Sequence, residues 1–376
     1  MQKNSICKML MLCAIVFMAM LPVRQAIAAK STISKSPYLG AICVDAATGK
    51  VLFEDNPDAQ GYPASMVKLM DLMVILDYLK AGSIHLEDQV TVTAEAARIG
   101  GSQVYLKEHE VFSIEELLYT IMVQSANDSA TALAIHIAGT KDAFVVLMNE
   151  KAKQLGMTST TFHSVHGLPP SKGQQPDVTT PRDMAKLCME LIKHEDTFKY
   201  TATTERAFRP DLPEPFIMRS HNHLLRNMEG CDGLKTGYFF NAGFSISATA
   251  TRKGTRAIVV VLGSENRKVR DAKAKEILSL GLIELVKNAP PPAAPPVVPV
   301  VAQAGMVVAG PENAAAPVEA SLATPEKTAD DDYFRISKRS VQIFGGVVFG
   351  IVMLIVIITY IRQRQERNRP VYFRRR

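Results

Sequence analysis

Pro63-Ala64-Ser65-Met66-Val67-Lys68-Leu69-Met70-Asp71-Leu72-Met73-Val74-Ile75-Leu76 is the stretch around which the chain organises itself. Val67, Leu69, Met70 and Leu72 to Leu76 are apolar on nearly every side, the pattern of a helix buried at the centre of a domain. Ser65 and Lys68 are three apart and share one face, so their hydroxyl and ammonium lie one turn from each other. A serine hydroxyl is a poor nucleophile until a base takes its proton, and a lysine serves as that base when burial or a cationic neighbour lowers its pKa. The apolar helix offers the burial, and Lys235 is a candidate neighbour. Alone the spacing means little, because Ser5-Ile6-Cys7-Lys8 repeats it at the N-terminus.

Two further strings follow in order. Ser125-Ala126-Asn127 stands between one helical run (Ile114, Leu117, Leu118, Ile121, Met122) and a second (Ala130 to Ile137), a corner able to present a hydroxyl and an amide to a cleft. In isolation it also reads as ordinary helix capping. Lys235-Thr236-Gly237 precedes a strand pair: Phe244 to Ala250 alternates, Arg252-Lys253-Gly254-Thr255 turns, and Ala257 to Leu262 is a continuous buried run. A sheet-edge strand at Lys235 would offer an ammonium, a hydroxyl and backbone groups to an anionic ligand end, with Gly237 allowing close approach. At the other end of the body, Ala41 to Val44 and Val51 to Phe53 flank the turn Ala46 to Lys50. A helix over 268–287 closes it. Strands at both ends with helices between predict an α/β fold: one antiparallel sheet assembled from distant segments, flanked by helices, with an inserted all-helical subdomain.

The termini decide the compartment. Lys3 and Lys8 precede the apolar run Met9 to Leu21, and Ala26-Ile27-Ala28 supplies small residues for cleavage, so 1–28 reads as a signal peptide, with an uncleaved anchor as the alternative. Residues 29–35 would begin the mature chain and 36–288 form the catalytic body. Residues 289–332 are rich in Pro and Ala and read as a tether, with a small domain as the alternative. After a juxtamembrane segment, 333–340, residues 341–361 carry no charge and match the length of a transmembrane helix. The Arg-rich tail 362–376 then places the C-terminus in the cytoplasm and the body outside, at a bacterial inner membrane. Much of the formal +6 charge sits in that tail, so anionic lipid is a nearer partner than nucleic acid. Cys7 and Cys13 would leave with the signal peptide; Cys43, Cys188 and Cys231 read chiefly as small buried hydrophobes and match no zinc spacing. No metal or cofactor is expected.

With its three strings in order, the body from Tyr38 to Leu285 resembles the low-molecular-mass penicillin-binding proteins, the serine-type D-alanyl-D-alanine carboxypeptidases. Similar strings there include Asp55-Asn56-Pro57, Gln124 to Asp128, Phe144 with Met148-Asn149, Val165-His166-Gly167-Leu168, Arg182 to Ala185, Asp232 to Gly237 and Ala242-Gly243-Phe244. The resemblance implies a β-lactamase/transpeptidase-like fold and an acyl-enzyme cycle on peptidoglycan stem peptides ending in D-Ala-D-Ala, with β-lactam antibiotics acylating the same serine. It makes Ser65 the nucleophile and Lys68 its base, Ser125 the proton relay, and Asn127 the group that orients Lys68. Lys235 and Thr236 would bind the terminal carboxylate beside Gly237, and the backbone N–H groups of Ser65 and Tyr238 would hold the oxyanion.

Several departures accompany it. Tyr238 stands where His is common, the tether replaces a β-rich second domain, and the anchor spans the membrane in place of an amphipathic helix. Ser220-His221-Asn222-His223 differs from the usual asparagine-rich string. His166 and His221 are read as structural. A β-lactamase is the near alternative, disfavoured because residues 151–189 contain no Glu to serve as a deacylating base. A DD-endopeptidase and a catalytically idle wall-binding scaffold are the others.

Overall fold

A computed structural model describes residues 33–288 of the chain. The expected signal peptide, residues 29–32, the tether, the juxtamembrane segment, the transmembrane helix and the Arg-rich tail lie outside the described residues. Strands β1 (Gly40–Asp45) and β2 (Val51–Asp55) make the first hairpin, and a 3-10 turn, Ala64–Val67, leads into helix α1 (Lys68–Lys80). Next come β3 (Gln89–Thr91), α2 (Ala94–Ala97), β4 (Val111–Ser113), α3 (Ile114–Tyr119), a π-type turn over Thr120–Gln124, α4 (Asn127–Ala138) and α5 (Lys141–Gln154). Helices α6 (Pro181–Leu191) and α7 (Thr197–Thr201), the small hairpin β5 (Glu205–Phe208) and β6 (Phe216–Arg219), and α8 (Leu224–Asn227) return the chain to the sheet. It ends with β7 (Cys231–Phe239), β8 (Gly243–Arg252), β9 (Thr255–Ser264) and α9 (Arg267–Asn288).

The main sheet is antiparallel with the order β2-β1-β9-β8-β7. Its two halves come from opposite ends of the body and are joined where β1 pairs β9, Gly40 opposite Leu262 through Asp45 opposite Ala257. Period-two alternation explains why the run in β9 is wholly apolar. Ile258, Val260 and Leu262 join the core shared with the helical region, whereas Ala257, Val259 and Val261 pack with α9 through Ala274, Ile277 and Leu278. A strand covered on both faces needs apolar residues at every position.

The expected α/β class holds. The inserted region is mostly helical but also carries the pairs β3–β4 and β5–β6, three and four residues long, too short to leave a periodic signal. Ser65 lies in the 3-10 turn, and the α-helix proper starts at Lys68. From Lys68 to Leu76 every residue of α1 is buried, as its all-round apolar pattern predicts. Cys43 and Cys188 are buried, Cys231 is half-buried, and all three are free thiols.

Candidate active site

Two glycines let the Ser65 turn be gripped from both sides. A Cβ at Gly237 of β7 would sit 2.3 Å from the Pro63 carbonyl oxygen, and one at Gly167 would sit 2.1 Å from that of Ala64. Gly167 also has φ +72, the left-handed region where a side chain is strained. The edge strand and the 163–168 loop therefore both abut the turn bearing the hydroxyl.

Lys68 is fully buried, and its Nζ lies 3.4 Å from Ser65 Oγ. It donates to Asn127 Oδ1 at 2.7 Å and to the His166 carbonyl at 2.9 Å. A neutral amine has two N–H donors and one lone pair. With both donors taken, the lone pair is left for the Ser65 hydroxyl. Burial pushes the Lys68 pKa down to about 8, against the pull of Asp71, Asp128 and Asp177. The second cation is felt at the other end: Lys235, 2% exposed, has its pKa driven well below the usual lysine range by burial, then by Lys68 and Arg270.

Supporting residues fix these groups. Asn127 Nδ2 donates to the Gly100 carbonyl at 2.7 Å, and Asn127 N to that of Ser102 at 2.8 Å, so the amide oxygen is turned toward Lys68. Asp128 accepts from the backbone N–H groups of Val104 (3.2 Å) and Leu106 (3.0 Å), holding the same 100–106 segment between α2 and β4. Asp177 accepts from the N–H groups of His163 and Ser164 and from Ser164 Oγ, which shapes the loop presenting the His166 carbonyl. Ser125 follows the π-type turn with φ +63, and its buried Oγ has no partner among the described residues.

A cleft of about 230 Å³ is lined by Ser65, Ser125, Thr236, Gly237 and Tyr238. Lys68 and Asn127 lie bonded behind Ser65, and Lys235 is buried beside Thr236, so the structure gathers all eight predicted residues around one opening. Among the described residues Lys235 Nζ finds only its neighbour's carbonyl, that of Thr236 at 3.3 Å. Tyr238 is 52% exposed and stacks on Phe244, ring centroids 4.1 Å apart. A larger cavity, about 710 Å³, lies by α9 and the β8–β9 turn, lined in part by Arg252, Lys253 and Lys275, and its Lys275 Nζ is spent on the Asn227 carbonyl at 2.6 Å.

The sequence reading missed several contributors. Arg267 and the buried Arg270 also line the cleft, and Arg270 Nη1 donates to the Ser245 carbonyl at 3.4 Å. Ser102 lines it as well, and the His166 backbone carbonyl holds Lys68. The His166 ring is structural: Nδ1 accepts from Leu168 N at 3.1 Å, and burial, then Lys68 and Lys141, lower its pKa to about 4. His221 and His223 line the cleft, whereas Asn222 is spent on the Gly233 carbonyl and Leu224 N–H.

A buried amine beside a hydroxyl, facing an under-satisfied ammonium across a small cleft, is equipped to activate a nucleophile against a ligand carrying an anionic end. A family model for D-alanyl-D-alanine carboxypeptidases, peptidase family S11, matches residues 25–266. The chain belongs to this family. It is 38% identical over 267 residues to the D-alanyl-D-alanine carboxypeptidase DacC of Escherichia coli K12, covering 68% of this chain and 64% of that one. To DacF of Bacillus subtilis it is 36% identical over 238 residues, 63% of this chain and 60% of the relative. The chain thus spans about three fifths of the length of these curated relatives. Among solved structures, penicillin-binding protein 5 of Haemophilus influenzae is similar with TM-score 0.61, 30% identity, and 68% and 73% of the two chains covered. Ampicillin-bound penicillin-binding protein D2 of Listeria monocytogenes has TM-score 0.58 and 28% identity over 64% and 96%.

Proposed function

We propose that this protein is a serine D-alanyl-D-alanine carboxypeptidase that trims the terminal D-Ala from peptidoglycan stem peptides and is acylated by β-lactams at Ser65. The observation that carries the reading is the Lys68 amine, its donors occupied by Asn127 and the His166 carbonyl and its remaining lone pair 3.4 Å from Ser65 Oγ. Lys68 takes the hydroxyl proton as Oγ attacks the carbonyl between the two D-alanines. The backbone N–H groups of Ser65 and Tyr238 hold the oxyanion. Ser125 Oγ delivers a proton to the departing amine while Lys235 and Thr236 bind the terminal carboxylate, and water then releases the acyl-enzyme.

Slow release of a penicilloyl group fits the stretch from the end of α5 into α6. Residues 151–189 contain no Glu, and their two aspartates are engaged, Asp177 by the 163–164 loop and Asp183 by Ser159 N, Thr160 and Lys186. We further propose export by the 1–28 signal peptide and single-pass anchoring through 341–361, with the tether holding the catalytic body on the periplasmic side of the inner membrane and the tail in the cytoplasm. The test incubates the full chain with a fluorescent penicillin and, separately, with a peptide ending in D-Ala-D-Ala. The wild-type protein is expected to become labelled and to release D-Ala, and Ser65→Ala to do neither. No label and no D-Ala from the wild type would leave a wall-binding scaffold in its place.

A further inference from the structure

Asp71 breaks the apolar run from Leu69 to Leu76, and a carboxyl removed from water needs a hydrogen bond or an opposite charge. It is 2% exposed, and neither of its oxygens has a hydrogen-bond partner among the described residues. Lys68 stands one turn before it on α1, so Ser65, Lys68 and Asp71 follow one another at intervals of three. The other carboxylates that reach Lys68 electrostatically are occupied elsewhere: Asp128 of α4 by the Val104 and Leu106 N–H groups, and Asp177 by the 163–164 loop. Among the described residues Asp71 holds no backbone group.

We propose that Asp71 is a positioning residue whose carboxylate, one turn beneath Lys68, stabilises the ammonium formed when Lys68 takes the Ser65 proton and so sets how strong a base that lysine is. The inference rests on the acyl-transfer reading above. In the step concerned, the Oγ–H proton passes to Lys68 Nζ while the bond from Oγ to the substrate carbonyl carbon forms. The carbonyl C–N bond then breaks, and its nitrogen leaves with a proton. The ammonium left behind is buried, and Asp71 is a counter-charge on the same helix.

The electrostatics agree. Among the charges acting on Lys68, Asp71 pulls its pKa upward most, while burial lifts the carboxyl's own pKa well above the usual carboxylate range, Lys68 pulling it back and Asp177 adding to the rise. The groups facing the pair from other elements are Asp128 (α4), Asp177 and His166 (the segment between α5 and α6), His221 (the segment between β6 and α8) and Lys235 (β7). All of them remain when Asp71 alone is changed.

The sign follows. Without the carboxylate the ammonium is less stable, so Lys68 deprotonates at lower pH and is a weaker base once free. The test measures the acylation rate of the full chain by a fluorescent penicillin against pH, for wild type, Asp71→Asn and Asp71→Thr. Either variant is expected to move the acid limb down by about one pH unit and to lower the plateau roughly tenfold. A limb that stays in place while the plateau falls overturns the proposal, because loose packing alone costs rate without moving the limb. If neither variant folds, carbon NMR of the wild-type Asp71 carboxyl decides: its resonance must change as Lys68 titrates, and an unresponsive resonance overturns the proposal. Failure of the wild type to acylate at any pH would instead overturn the parent reading, and this inference with it.

Discussion

The two walls of the cleft each contribute a buried lysine, and they treat it in opposite ways. On the helical wall Lys68 is held by Asn127 Oδ1 and the His166 carbonyl, and both supports are themselves fixed, Asn127 by Gly100 and Ser102 and the carbonyl by the loop around Asp177. On the sheet wall the one hydrogen bond of Lys235 Nζ among the described residues is to the carbonyl of the next residue, at 3.3 Å. Burial depresses both pKa values. The first lysine has its hydrogen-bonding needs met by the protein and is positioned for chemistry at a fixed atom. The second is left under-satisfied, which destabilises it in the free protein and favours whatever anion enters.

If that contrast is right, the largest effect comes from the helical wall. Lys68→Met should cut the rate of acylation of Ser65 by about a thousandfold, within the range of a lost general base. Lys68→Arg should not restore it, because a guanidinium stays protonated and has no lone pair to offer. Stopped-flow measurement of penicillin acylation checks both. A variant with arginine at 68 that acylates at the wild-type rate would mean that Lys68 acts only as a fixed charge, and the two walls would then differ in degree alone.

The sheet wall should respond more weakly and in another parameter. Lys235→Met removes one charged hydrogen bond to the ligand carboxylate, about 10- to 100-fold in kcat/KM, falling mainly on KM for peptides with a free C-terminal carboxylate. A peptide amidated at its C-terminus should lose little between wild type and variant. Equal losses for both peptides would assign Lys235 to the chemical step and make the walls alike.

Legibility in the sequence divides along similar lines. The Ser65–Lys68 pair is local, so a spacing of three residues was enough to place the two groups together, and the two terminal hairpins announced the sheet through short apolar or alternating runs flanking a turn. Contacts made by backbone atoms left no trace. The His166 carbonyl that holds Lys68 lies 98 positions away, and any residue type supplies a carbonyl. Arg270 lies on the closing helix expected over 268–287 and carried no signal of its own, because only the packing of α9 behind β8 carries it into the cleft wall. Asp71 had a visible signal, the one carboxylate inside the apolar run Leu69 to Leu76, and its meaning depended on knowing that neither of its oxygens finds a hydrogen-bond partner among the described residues.

Tyr238 gives the smallest effect and the finest test of the sheet wall. It occupies the position after Lys235-Thr236-Gly237, and its ring lies over Phe244, more than half exposed, while its backbone belongs to β7 opposite Phe244 in β8. If the sheet wall works through its ammonium and its main chain, Tyr238→His preserves both and should change penicillin acylation by no more than about threefold. A single aromatic stack is worth roughly 1 kcal/mol, about a fivefold change even if the whole of it were felt in the reaction. A loss of a hundredfold would require the ring itself to contact the reacting ligand. The division of labour between a side-chain wall of helices and a main-chain wall of sheet would then fail at the residue next to the ammonium.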